Sequence, residues 1–157
     1  MKGNGKVIAA LNEALQEELT AINQYFLHSE MCDNWNYERL SQHVKKLSIQ
    51  EMKHAEKLIE RILFLDGAPN MAAPVQIRVG KAVKQQLEND LSLELGAIKL
   101  YNDAIKLARA EGDNGTAELF KLILKDEEEH ADWQESQIGQ IAEMGYELYL
   151  AEQIEKE

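Results

Sequence analysis

A chain of 157 residues is long enough to bury a core and short enough to be one domain. Its net charge of −11 disfavours nucleic acid or an anionic membrane as partner, since both are bound through clustered Lys and Arg, and it suits cationic ligands. The single cysteine, Cys32, excludes an internal disulfide and any four-thiolate metal site within one chain; with no apolar run of membrane-spanning length and no signal-peptide core in 1–11, a reducing cytoplasm is the expected compartment.

Four long segments are dominated by helix formers, and their apolar residues recur at alternating spacings of three and four, so each reads as an amphipathic helix. The first covers 5–33, with a stripe of Ile8, Leu11, Leu15, Glu18, Ile22 and Tyr25, and is broken by DNWN (33–36). The second, 37–66, carries Leu40, Val44, Leu47, Glu51, His54, Leu58, Ile62 and Leu65. Both prolines, Pro69 and Pro74, fall in GAPNMAAPVQIRVG (67–80), a connection long enough to run the length of a bundle. The third helix, 81–111, carries Leu87, Leu91, Glu94, Ile98, Tyr101 and Ile105, and EGDNG (111–115) ends it. The fourth, 116–144, carries Phe120, Ile123, Glu127, His130, Gln134, Ile138 and Ile141, and a short fifth helix at 147–155 follows Gly145. Each long helix spans on the order of 40 Å at about 1.5 Å per residue. Short breaks make antiparallel neighbours and the long one makes a crossover. The expected fold is all-α, a single domain over 1–157, and its plan of two helical hairpins joined by one long crossover resembles the ferritin-like antiparallel four-helix bundle.

Every stripe is interrupted near its middle by a glutamate, and the second and fourth add a histidine one turn further on. Unpaired carboxylates at the centre of a bundle are very costly, and four of them converging would repel strongly. Two divalent cations resolve this, because four glutamates carry −4 and two such ions carry +4, while His54 and His130 add neutral nitrogen donors. Glu-x-x-His places both side chains on one helix face. One Glu from each of two helices, with Glu-x-x-His from each of the other two, is the pattern of di-iron and di-manganese carboxylate centres. The candidate ligands are therefore Glu18, Glu51, His54, Glu94, Glu127 and His130, the alternative being a buried ion-pair network with Lys or Arg partners. Carboxylate and imidazole without thiolate suit iron or manganese better than structural zinc. Tyr25 and Tyr101 lie on the same stripes, placed to pack and to hydrogen-bond a ligand carboxylate, with electron donation as a second role. Tyr25 is expected to act with the six ligands in catalysis.

At these residues the sequence resembles the bacterioferritins, the haem-containing branch of the ferritins. The resemblance runs through AINQYFLHSEM (21–31), EMKHAEKLIERILFLDG (51–67), DLSLELGAIKLY (90–101), LKDEEEHADW (124–133) and MGYELYL (144–150). It implies an intra-subunit ferroxidase centre on the six ligands above, with Glu51 and Glu127 bridging two irons. It implies oxidation of Fe2+ by O2 or H2O2, and a hollow homo-oligomeric shell of 24 subunits, built from twofold dimers, that stores ferric mineral. It also implies a haem b shared by two subunits and a ferredoxin-type reductant for iron release. The alternatives are a rubrerythrin-like diiron peroxidase, which usually has a four-cysteine segment absent here, and a non-storage diiron protein with structural metals.

Met52 lies about 100° round the helix from Glu51, off the core stripe, and shares a second face with Ile49 and Lys53. Leu19, Asn23 and Phe26, with Ile22 at the edge, form a matching face on the first helix. Apolar residues outside a core stripe mark a subunit contact, and a twofold axis there would set two Met52 sulfurs opposite each other. From the residues alone Met52 reads as a packing methionine; the resemblance implies that it is the haem axial ligand. Two positions depart from the family's pattern. Lys46 replaces a His and Gln50 an acidic residue of an auxiliary inner-surface iron site, which the resemblance therefore does not extend to this chain. Lys45, at a position often aromatic in the family, lies near the expected haem pocket. Cys32 is expected to be a buried or interface thiol with no part in catalysis.

Overall fold

A computed structural model describes residues 1–155. Five helices follow in chain order: α1 (Gly5–Asn34), α2 (Glu38–Phe64), α3 (Val83–Ala110), α4 (Asn114–Met144) and a short α5 (Tyr146–Ala151). The pairs α1–α2 and α3–α4 pack most extensively, α1 also packs on α3, and α4 meets α5. Contact between α2 and α4 is much sparser.

The connection within each hairpin is short. The chain turns in the left-handed region at Asn36, Asp66 and Gly112, residue types that tolerate it. Each time the next N–H reaches back to the last helical turn: Tyr37 N to Cys32 O at 2.9 Å, Gly67 N to Ile62 O at 2.9 Å, Asp113 N to Ala108 O at 2.8 Å. The fourth helix starts two residues earlier than its apolar period indicates, because Asp113 caps it and accepts from Thr116 N at 3.0 Å. Arg61 at the end of α2 joins that cap, with Nη2 2.9 Å from Asp113 Oδ1 and Nε 3.0 Å from Thr116 Oγ1. The fifth helix is shorter than expected. After Ala151 the chain goes into turns, and the Gln153 carbonyl is taken by Arg39 N at 3.0 Å, one of the N–H groups that the first turn of α2 leaves without an intrahelical partner.

The crossover has no helix or strand of its own, so its backbone groups need partners from elsewhere. Residues spaced along one face of α1 supply them. Asn12 holds Ala68 O and Asn70 N, Gln16 Nε2 donates to Pro74 O at 2.7 Å, Gln24 Oε1 accepts from Arg78 N at 3.0 Å, and His28 Nε2 accepts from Gly80 N at 2.9 Å. Since His28 Nε2 accepts, its proton sits on Nδ1 and donates to Asp90 Oδ1 at 2.9 Å, while Gln24 Nε2 donates to the same oxygen at 2.8 Å. This wholly buried group ties α1, the crossover and α3 together.

The apolar core falls into separate clusters. One end holds Val7, Leu11, Leu15, Leu58, Ile62, Tyr101, Ile105, Phe120 and Ile123. Ala21, Tyr25, Val44 and Leu47 form a smaller group, and Cys32, Leu40, Val83, Leu87, Ile141 and Tyr149 form another. Cys32 donates to Gln86 Oε1 at 3.3 Å, and burial pushes its thiol up to about 12. The interruption between clusters is where the stripes turn polar.

Candidate metal centre

The structure brings Glu18, Glu51, His54, Glu94, Glu127 and His130 together in the middle of the bundle, all buried. Their helices place them there by the rule that buries leucines elsewhere: each occupies a core-facing position of its stripe.

The donors form two overlapping groups of four, in each of which one atom per residue lies within 4.8 Å of the others. Glu18, Glu51, His54 and Glu127 make the first, and Glu51, Glu94, Glu127 and His130 the second. Glu51 and Glu127 belong to both, the arrangement needed to bridge two cations. His54 Nδ1 lies 3.2 Å from Glu51, 3.3 Å from Glu127 and 3.5 Å from Glu18. His130 Nδ1 lies 3.4 Å from Glu51, 3.4 Å from Glu94 and 3.7 Å from Glu127. The rings are nearly parallel, 24° apart with centroids separated by 6.4 Å.

Among the described residues, the ion-pair contacts of these glutamates are with the two histidines. Several donors have no hydrogen bond at all: Glu18 Oε2, both oxygens of Glu51, Glu94 Oε2, Glu127 Oε1 and His54 Nδ1. Groups so deeply buried are normally satisfied, so this many unpaired oxygen and nitrogen atoms converging on one point suit the ligation of cations. The proton affinities agree. Burial, then Glu18 and Glu127, pushes the Glu51 carboxyl well above the usual range, and burial, then Glu18 and Glu94, does so for Glu127. Burial alone would lower His54, but the carboxylates of Glu127 and Glu18 facing its Nδ1 raise it to about 11. Glu51, Glu127 and His54 thus hold protons more tightly than they ordinarily would.

A second layer orients the donors. Tyr25 donates to Glu94, and Tyr101 donates to Glu18 Oε1 at 2.6 Å. Burial, then the carboxylates, pushes both phenols well above their ordinary value, so they stay protonated donors. Gln134 Nε2 in turn donates to the Tyr25 oxygen at 2.7 Å. His54 Nε2 lies 2.7 Å from Asp126 Oδ2, and His130 Nε2 lies 2.7 Å from Gln50 Oε1. With the protons on Nε2, both rings turn a free Nδ1 toward the carboxylates. Thus Gln50, a departure from an auxiliary site in sequence terms, has a place here as the brace of His130.

Asp126 and the hydrogen-bonding role of Gln134 are not visible in the stripes, although a signal existed. Glu18 and Glu94, Tyr25 and Tyr101, Gln50 and Asp126, Glu51 and Glu127, and His54 and His130 are all paired at one constant sequence offset. Once Gln50 braces a histidine, the offset points to Asp126 for the other.

The second face lies outside this centre. Met52, Phe26 and Ile49 are 54%, 53% and 41% exposed, and Asn23 and Lys53 beside them are exposed. Leu19 and Ile22 are half-buried against the core. Lys45 and Lys46 are exposed on α2. No helix among the described residues is long and apolar enough to cross a membrane.

A ferritin-like domain model matches residues 8–144. The chain is 45% identical to a bacterioferritin of Mycolicibacterium paratuberculosis over 152 residues, covering 97% of this chain and 96% of that one. It is 43% identical to a bacterioferritin of Streptomyces coelicolor, covering 99% and 93%, and 43% identical to one of Brucella melitensis, covering 95% and 92%.

Proposed function

The chain belongs to the bacterioferritins, within the ferritin-like family, and from that premise we propose that it is a cytoplasmic iron-storage ferroxidase. The observation that carries this reading is the convergence of six buried donors, many without a hydrogen bond, on two overlapping four-donor groups. Two Fe2+ enter as substrate, one to each group. Each gives up one electron. O2 takes two electrons and two protons and leaves as H2O2, or H2O2 takes them and leaves as two waters. The glutamates supply hard oxygen donors suited to both oxidation states of iron, and their −4 charge offsets the +4 of the incoming ions. Asp126 and Gln50 keep the histidine Nδ1 atoms facing inward, and Tyr25 and Tyr101 hold Glu94 and Glu18 in place while keeping their own protons. Ferric iron then passes to a mineral inside a homo-oligomeric shell of 24 subunits.

The exposed apolar face of α1 and α2 fits a twofold contact that encloses a haem b. Met52 and its twin on the second subunit would supply thioether ligands, with Leu19, Ile22, Asn23, Phe26, Ile49 and Lys53 around the ring. When bound there, the haem supplies one-electron transfer for reductive iron release, with electrons from a ferredoxin-type donor.

Aerobic addition of Fe2+ to the assembled protein tests the reading. Uptake far beyond two irons per chain, in a very large particle, is expected. Saturation at two per chain would remove storage and leave the centre standing. Glu127→Ala is expected to abolish rapid oxidation without preventing assembly, and unchanged oxidation kinetics would take Glu127 out of the centre.

A further inference from the structure

Inside the centre the two halves are chemically the same, each with one Glu from α1 or α3, one Glu-x-x-His and the shared pair Glu51 and Glu127. Outside it they differ at two pairs of counterpart positions. His54 is braced by a carboxylate, Asp126, and His130 by an amide, Gln50, both at 2.7 Å. A carboxylate draws on the imidazole N–H more strongly than an amide does, which leaves more electron density on the opposite nitrogen. The second difference lies on the tyrosines. Tyr25, the donor to Glu94, itself accepts from Gln134. The position corresponding to Gln134 in the other half is Leu58, so Tyr101 receives no such bond from there as it donates to Glu18. A hydroxyl whose oxygen accepts a hydrogen bond is a stronger donor through cooperativity, so Tyr25 withdraws more density from Glu94 than Tyr101 does from Glu18. The two differences act in the same direction.

We propose that the centre holds its two cations unequally. The position framed by Glu18, Glu51, His54 and Glu127 is the tight one, and the position framed by Glu51, Glu94, Glu127 and His130 is the exchangeable one. Gln50 and Asp126 are the positioning residues that set this order. The inference rests on the reading of the six donors as cation ligands. In a storage protein it assigns the His130 half as the point where iron turns over, while the His54 half stays filled.

Titrating the metal-free assembled protein with Co2+, followed by its visible ligand-field bands, tests this without any turnover. Two steps per chain are expected, separated by roughly 10- to 100-fold. Gln50→Glu should tighten the weaker step by about 10-fold and bring the steps together, and Asp126→Asn should loosen the tighter step by a similar factor. The double variant Gln50→Glu/Asp126→Asn should reverse the order, so that Glu94→Gln on that background removes the tighter step instead of the weaker one. Equal affinity for both ions in the parent would overturn the inference, as would a weaker step that ignores Gln50→Glu. Failure of the underlying reading looks different: no Co2+ spectrum at all, or one that survives Glu127→Ala intact.

Discussion

Replacing Glu51 by Gln is expected to change stability with opposite sign in the metal-free and cation-loaded protein. Glu51 is fully buried, both its oxygens lack hydrogen bonds, and its neighbours Glu18 and Glu127 repel its charge. An unsatisfied buried polar atom costs about 1–3 kcal/mol, and an amide of the same shape removes the charge and gains two donors facing carboxylates. A net gain of about 1–3 kcal/mol in the metal-free protein follows, or roughly 2–12 °C in Tm at about 2–4 °C per kcal/mol for a chain of this size. The gain should grow with pH: the raised Glu51 pKa means that the parent meets the full charge only as pH climbs. In the loaded protein the substitution removes a donor shared by both cation positions. Binding at 100 times Kd stabilises by about 2.7 kcal/mol, and the variant should lose much of that. Differential scanning calorimetry of chelator-treated and Co2+-loaded protein gives both signs in one experiment. A metal-free variant that melts below the parent would refute the reasoning, because the carboxylate would then be satisfied without a cation.

Three further outcomes are expected. Metal-free protein should lose Tm as pH rises: the folded His54 value of about 11 exceeds the ordinary 6.5, so its stabilising contribution is complete below pH 6.5 and gone above about 11, with Glu51 and Glu127 acting in the same sense. Cation-loaded protein should not follow that slope, since the metal replaces the protons, and a parallel decline in both forms would contradict the assignment. Met52→Leu should give assembled protein with no haem Soret band, whereas full haem content would assign the axial ligand elsewhere. Gly80→Ala should cost about 1–3 kcal/mol, read as a lowered denaturation midpoint, because a Cβ there would sit 2.4 Å from Gln86 N and 2.6 Å from Gln86 Cα in the first turn of α3; an unshifted midpoint would mean that this end of the crossover is not seated as described.

The positions of the central glutamates and histidines were legible because the apolar stripe is a strong signal and a carboxylate within it is an error unless something answers its charge. Gln134 fell on the stripe too, but an amide raises no such alarm, and its bond to Tyr25 depends on a helix from the other hairpin. Asp126 was hidden for the opposite reason: it begins the acidic run DEEE, where surface and centre carboxylates look alike. The crossover left least trace. Asn12, Gln16, Gln24 and His28 hold backbone atoms, and a side chain that binds backbone imposes no pattern on its partner's sequence. The fifth helix was overdrawn because its end is decided by Arg39 N, more than a hundred residues earlier, and not by any local stop signal.

The division of the donors between the hairpins has a further consequence. The first hairpin provides three members of one group and the second provides the fourth, Glu127; the other group takes three from the second and Glu51 from the first. A hairpin without its partner therefore presents at most three donors to any ion. On the proposed reading, a four-donor cation site therefore exists only once the two hairpins have closed on each other.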